Sequence, residues 1–461
     1  MAARYYHTKG GKTYTLGGLI SKEAKGGEGS VHRLPNNPDL VAKIYRVDLG
    51  SDDLARRGRK IEAMLAKGST LAADQTFAWP LDSLYDVNGV FVGYVMRSAA
   101  DKIKLSKQLS DKLRKNMTLE ELIVAASNLA RTIDSAHSQS YVIGDLKPEN
   151  LLVSSAVITV IDVDSFQFSV GSELFPCRAG TPEWLPPELQ NASFTNQSFS
   201  LETDCWALAV IIFKLLMNDT HPFTHRVTAV SAERTTQKEN IINGISAHFP
   251  DTHRSRLSIA RPLTSPPIES LPLSVRKLFE QAFIEGHLAH WSRPKAADWI
   301  EPLRDFREQL VKCRANSSHQ YWQGAAACPW CEIEKPAVVG GSLGSGKTCT
   351  YCGTSSKANA VFCSRVNCGR PFPLEPSGPS VLKDSKDSDA RKPLPAKVCP
   401  HCYMSNTKQA IRCRSCNRDM NSSASNQPKS VGESALIAVS VGLGIFVIGV
   451  LLLLFFVALF G

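Results

Sequence analysis

The sequence predicts an α+β chain: a small strand-rich lobe, a larger helical lobe, then small cysteine-bearing modules and one C-terminal transmembrane helix. Three observations predict it. Before residue 100 the apolar runs are short, β-branched and bounded by turn residues, as in V-A-K-I-Y (41–45) and G-V-F-V-G-Y-V-M (89–96). After residue 118 the apolar spacing turns helical, over 118–137, 204–217 and 272–286. Eleven of the 13 cysteines lie between Cys313 and Cys416, mostly in C-x-x-C pairs, so that region has its own chemistry.

A chain of 461 residues should hold more than one domain, and 43% hydrophobic residues suffice for a globular core. The formal charge of +10 is modest for this length; it fits lysines scattered over a soluble surface, and nucleic-acid binding is not expected. The opening M-A-A-R-Y-Y-H-T-K-G-G-K has no apolar h-region, so no signal peptide is expected.

In chain order, A-K-G-G-E-G-S-V (24–31) is a glycine-rich turn where Gly26 and Gly29 can let the backbone approach phosphates, with Val31 closing the segment. Lys43 in V-A-K-I follows strand alternation and can point into a cleft. S-D-D-L-A-R-R-G-R-K-I-E-A-M-L (51–65) reads as a helix with an acidic N-cap, and it carries Glu62. V-I-G-D-L-K-P-E-N (142–150) sets Asp145, Lys147 and Asn150 in D-x-K-x-x-N spacing. Phosphoryl transfer needs such a set: a carboxylate to orient the acceptor hydroxyl, a cation near the γ-phosphate and an amide oxygen on Mg²⁺. The run 157–161 reads as a strand ending at Asp162, a hard oxygen ligand suited to Mg²⁺, with Asp164 as a competitor two residues on.

Taken in order, these segments resemble a eukaryotic-like (Hanks-type) Ser/Thr protein kinase. The resemblance implies a bilobal protein-kinase fold over 1–310, using ATP with Mg²⁺ (or Mn²⁺) and acting on a protein substrate. It implies a Lys43–Glu62 pair, Asp145 as catalytic base, and Asp162 as the metal-binding aspartate, followed by Val163-Asp164 where the family has Phe-Gly. R-A-G-T-P-E-W-L-P-P-E-L (178–189) resembles the end of an activation segment, so Glu188 would pair with Arg293. Asp204 of D-C-W-A-L-A would hold the catalytic-loop backbone, and H-P-F (221–223) also fits. Lys147 is the Ser/Thr-type residue at its place. Ile143-Gly144 replace the family's His-Arg, so the resemblance implies a non-RD kinase whose switch is not a phosphate on its activation loop. The competing reading is a membrane-tethered pseudokinase scaffold that binds nucleotide and partners without catalysis.

The cysteines form three groups of four ligands. Cys349, Cys352, Cys363 and Cys368 form one (336–372, with a Gly/Ser lead-in), and Cys399, Cys402, Cys413 and Cys416 another (398–420). Each pairs two turns across ten residues, close to zinc-ribbon spacing, and four thiolates close a tetrahedral structural Zn²⁺ site. The third, within 311–335, joins Cys313, Cys328 and Cys331 to His319, which is either the fourth ligand or an ordinary surface histidine. Cys177 and Cys205 are expected to be free thiols. G-S-L-G-S-G-K-T (341–348) matches the P-loop pattern, but it runs straight into Cys349, so it is read as a linker and not a nucleotide site.

A Pro/Ser-rich linker (373–397) and a polar spacer (421–434) carry too little apolar surface to order themselves. Residues 435–460 contain no charge; as a helix they span about 39 Å, enough to cross a bilayer. Basic residues precede this run and none follows it. That predicts a single-pass tail anchor with the bulk in the cytoplasm. The whole architecture resembles bacterial kinases with C-terminal zinc ribbons, which implies a PP2C-type phosphatase and a von Willebrand A-domain protein as neighbours.

Overall fold

The computed structural model describes residues 4–21, 27–109, 117–193, 198–228, 234–249 and 257–334, the pairs 347–348, 355–356, 397–398 and 405–406, and residue 411. It divides into two units, Met1–Phe372 and Pro373–Gly461.

The first unit begins with one antiparallel sheet. Its strands are β1 (Arg4–His7), β2 (Thr13–Leu16), β3 (Gly29–Arg33), β4 (Leu40–Tyr45), β5 (Pro80–Tyr85) and β6 (Phe91–Arg97), in the order β2-β1-β5-β6-β4-β3. Helix α1 (Ser51–Lys67) packs on β5 and β6. Its expected acidic cap is Gly50 instead; Asp52 and Asp53 lie in the first turn, where they complement the helix dipole.

The helical lobe is built around α2 (Leu119–Ser138) and α3 (Leu201–Leu216). Thr118 caps α2: Glu121 N donates to its Oγ1 at 3.2 Å, and Glu121 Oε2 accepts from Thr118 N at 2.7 Å. α3 is apolar nearly all round, so it runs through the centre of the lobe. Trp206 stacks on Phe223, and Phe213 meets Phe279 edge-on; each such side chain contributes ~1.5–3 kcal/mol by burial. The segment expected as one helix over 272–286 is α4 (Leu273–Glu280) followed by a π turn, Gln281–Glu285. The turn brings the Gly286 carbonyl to Arg293 Nε, 2.9 Å away.

Between the lobes, β7 (Ile103–Lys104), β8 (Leu151–Ser154) and β9 (Val157–Val160) form a small sheet, and β10 (Phe168–Val170) pairs with β11 (Glu173–Phe175). Residues 142–150 lie in the loop entering β8, and Asp162 leaves β9. Helix α5 (Ile300–Glu308) leads into a hairpin, β12 (Leu310–Lys312) and β13 (Gln320–Trp322), and a short α6 (Pro329–Glu334). Glu120 N donates to Gln320 Oε1 at 3.2 Å, so the hairpin docks on the start of α2.

Farther along, β14 (Lys347–Thr348) pairs with β15 (Ser355–Ser356), and β16 (Lys397–Val398) with β17 (Ser405–Asn406). Each pair brackets a C-x-x-C in sequence, Cys349/Cys352 and Cys399/Cys402. Lys347 and Thr348 thus lie on a strand and do not open a helix, as a P-loop requires. The eight ribbon cysteines, Gly26 and the apolar run 435–460 lie outside the described residues. Among the described residues no helix is long and apolar enough to cross a membrane.

Candidate active site

The catalytic loop is held from below. Asp204, fully buried on the first turn of α3, accepts from Ile143 N at 2.7 Å, from Gly144 N at 2.8 Å and from His137 Nε2 at 3.1 Å. Gly144 has φ +77°, and a Cβ there would lie 2.6 Å from Cys177 Sγ. Asp145 then faces the cleft. Its Oδ1 accepts from Thr181 Oγ1 at 2.9 Å, and its Oδ2 is 2.6 Å from Lys147 Nζ. Lys147 also donates to Thr181 Oγ1 at 2.9 Å, and Asn150 Nδ2 donates to the Asp145 carbonyl at 3.0 Å. With Nδ2 so committed, the Asn150 amide oxygen is the atom available to a cation.

Across the cleft, β4 presents Lys43, whose ammonium touches two carboxylates: Asp162 Oδ1 at 2.5 Å and Asp164 Oδ1 at 2.7 Å. Burial alone would push the lysine pKa down; the two aspartates outweigh it and hold the pKa well above the usual value. Asp162 has a left-handed backbone (φ 63°), a costly conformation for a non-glycine residue and one typical of functional sites. Its side chain is 40% exposed, against 5% for Asp164. Asp162 is thus the carboxylate open to a metal, while both oxygens of Asp164 are occupied by protein donors.

The expected Lys43–Glu62 pair is absent. Glu62 accepts from Tyr85 Oη at 2.7 Å and pairs with Lys9 at 2.9 Å, on the face of α1 that meets β5. Two residues along a helix is about 200°, so the face turned to the cleft carries Lys60 with Arg56 and Arg57. Lys60 is 7% exposed and donates from Nζ to the Pro176 carbonyl at 3.1 Å. Burial pulls its pKa down to about 8.

Lys43, Asp145, Lys147, Asn150, Asp162 and Asp164 line a cleft of about 790 Å³ between the lobes, with Val31 and Gly29 at its roof. A Cβ at Gly29 would sit 2.5 Å from the Ile44 carbonyl oxygen, so close pairing of β3 with β4 already requires glycine there. Outside the cleft, Arg293 makes a bidentate bond to Glu188, 2.8 Å on each side, and so braces the helical lobe as the motif implied. Thr181, Lys60 and the tyrosines around Asp164 were not singled out from sequence. Thr181 lies inside the quoted G-T-P-E and was within reach of that reading.

Two lobes with a lysine on one wall, and on the other an Asp-Lys-Asn loop beside the aspartate that leaves β9, have the arrangement of a protein kinase domain. Residues 94–284 match the family model of the protein kinase domain. Lys43 and α1 precede the matched stretch. Among curated relatives, protein kinase YegI of Escherichia coli K12 is 30% identical over 342 residues, covering 72% of this chain and 50% of the relative. The liver/testis phosphorylase b kinase gamma catalytic chain of Homo sapiens is 33% identical over 127 residues, 26% of this chain and 30% of the relative. The citron rho-interacting kinase of Rattus norvegicus is 28% identical over 152 residues, 31% of this chain and 7% of the relative. The chain spans about half the length of the YegI proteins it matches.

A second cluster follows α5. One ligand atom each from Cys313, His319, Cys328 and Cys331 falls within 4.8 Å of the others. Cys313 Sγ is 3.5 Å from Cys331 Sγ, and His319 Nδ1 is 3.6 Å from Cys328 Sγ and 3.4 Å from Cys331 Sγ. A tetrahedral Zn²⁺ with its usual bond lengths requires sulfur–sulfur separations of about 3.8 Å and sulfur–nitrogen separations of about 3.5 Å. His319 Nε2, facing away, lies 3.1 Å from Glu334 Oε2, an acceptor that orients the ring when Nδ1 is the ligand atom. Cys177 and Cys205 are free and buried, their pKa values pushed by burial up to about 11 and about 12.

Proposed function

We propose that this chain is an ATP- and Mg²⁺-dependent Ser/Thr protein kinase with Asp145 as its catalytic base. The observation that carries the reading is the Asp145–Lys147–Asn150 loop, with Asp162 beside it, facing Lys43 across one cleft. Asp145 orients the acceptor hydroxyl and takes its proton; the Thr181 hydroxyl now on Oδ1 marks where such a group sits. Lys147 balances charge beside the transferred phosphoryl group, and Lys43 holds the α- and β-phosphates. Asp162 and the Asn150 amide oxygen would hold Mg²⁺, which neutralises charge on the phosphates. The Lys147–Thr181 contact supports Ser/Thr specificity. Gly144 supports control other than activation-loop phosphorylation, because no arginine stands there to grip a phosphate.

On the same reading the Cys313/His319/Cys328/Cys331 cluster holds structural Zn²⁺, as do the two sets at 349–368 and 399–416. Residues 435–460 anchor the chain in a membrane with the kinase domain in the cytoplasm, where a PP2C-type phosphatase and a von Willebrand A-domain protein are its proposed partners. The test is transfer from γ-labelled ATP by the full chain, wild type against Asp145→Ala. The variant should lose on the order of 10²–10⁴-fold in rate while still binding ADP. A wild-type protein that binds nucleotide and transfers nothing would make the chain a scaffold.

A further inference from the structure

Strand pairing sets Lys43 of β4 opposite Tyr94 of β6, and strand alternation puts Tyr45 on the same face as Lys43. Three donors therefore converge on one buried volume under the sheet. The group that fills it is Asp164. Lys43 Nζ reaches its Oδ1 at 2.7 Å and its Oδ2 at 2.8 Å; Tyr45 Oη donates to Oδ2 at 2.6 Å and Tyr94 Oη to Oδ1 at 2.9 Å. Both oxygens are engaged, and a charge-assisted bond inside such a shell is stronger than one in water. Glu62 cannot compete: Tyr85 and Lys9 hold it on the other side of α1, whose cleft face carries cations.

We propose that Asp164 is the positioning residue for Lys43, so that the carboxylate steering this lysine onto nucleotide phosphates comes from the segment after β9 and not from helix α1. This deepens the kinase reading and rests on it. Placement of the lysine then depends on the same short segment that carries Asp162. Swinging α1 in or out would not make or break the pair, because α1 does not supply it. The Val163-Asp164 pair, a departure from the family's Phe-Gly, thereby acquires a role.

The test uses the full chain and four variants: Asp164→Asn, Tyr45→Phe, Glu62→Gln and Lys43→Met. Asp164→Asn should weaken ADP binding, measured calorimetrically in chelator without metal, by about tenfold, and should lower kcat more than it raises KM for ATP. Tyr45→Phe, whose side chain lies outside the cleft lining, should lower kcat severalfold through the same carboxylate. Glu62→Gln should stay within about twofold on both readouts. Unfolding adds a measurement independent of catalysis: Lys43→Met and Asp164→Asn should be strongly non-additive in a double-mutant cycle, and Lys43→Met and Glu62→Gln additive. If wild type transfers no phosphate, the kinase reading falls, and the cycle still decides the anchor. Additivity of the Lys43 and Asp164 variants, or a Glu62 variant as impaired as the Asp164 variant, overturns the proposal.

Discussion

Replacing Lys60 by methionine should change how stability depends on pH. The lysine is 7% exposed, and burial pulls its pKa from the ordinary 10.5 to about 8. Between those values the unfolded chain binds a proton that the folded protein does not, so native stability rises with pH across this window. Below pH 8 both states are charged, and the full cost of burying the ammonium, about 3 kcal/mol, is present. Methionine carries no such cost but loses the bond to the Pro176 carbonyl, worth about 1 kcal/mol. Lys60→Met should therefore be the more stable protein at pH 7 by about 2 kcal/mol and should lose that advantage as pH approaches 10.5. Every other titrating group is shared, so the difference between the two proteins isolates this site. Urea unfolding followed by tryptophan fluorescence reads it, because all seven tryptophans lie between Trp79 and Trp330. Curves that stay parallel from pH 7 to 10, or a difference that grows with pH, would refute the reasoning.

Asp204→Ala should orphan the buried Ile143 and Gly144 amides and cost about 2–5 kcal/mol in the same assay, with phosphoryl transfer falling as the loop slackens; Asp204→Asn, which keeps one acceptor, should cost about half as much. Cys331→Ser should lower bound zinc by one equivalent, measured by atomic absorption, and should lower the unfolding temperature. An unchanged zinc content would remove that cysteine from the ligand set.

Much of the site was legible because its geometry is local. Asp145, Lys147 and Asn150 sit within one loop, so their spacing alone implies convergence. Asp204 and the Glu188–Arg293 pair were legible through motif position. Glu62 was not, because a partner chosen by counting along a helix depends on the helix's phase against the sheet, and Leu54, Ile61 and Met64 set that phase by their burial. The helix turns Lys60 inward and Glu62 toward β5. Asp164 was weighed only as a rival metal ligand; the signal for its other role was two tyrosines, Tyr45 and Tyr94, whose significance required knowing that β4 lies beside β6. The hairpin after residue 310 was read as a separate module, yet Gln320 and Trp322 fasten it to α2 and to Gln309. A long-range contact of that kind leaves no periodic trace.

The contact between Gly144 and Cys177 also constrains what this lineage can become. A side chain at 144 would meet both the Sγ and the Cβ of Cys177, 2.6 and 2.8 Å away, and the left-handed backbone at 144 penalises it besides. An arginine at that place is thus not one substitution away: it needs the backbone at 144 and the segment at 177 to shift together.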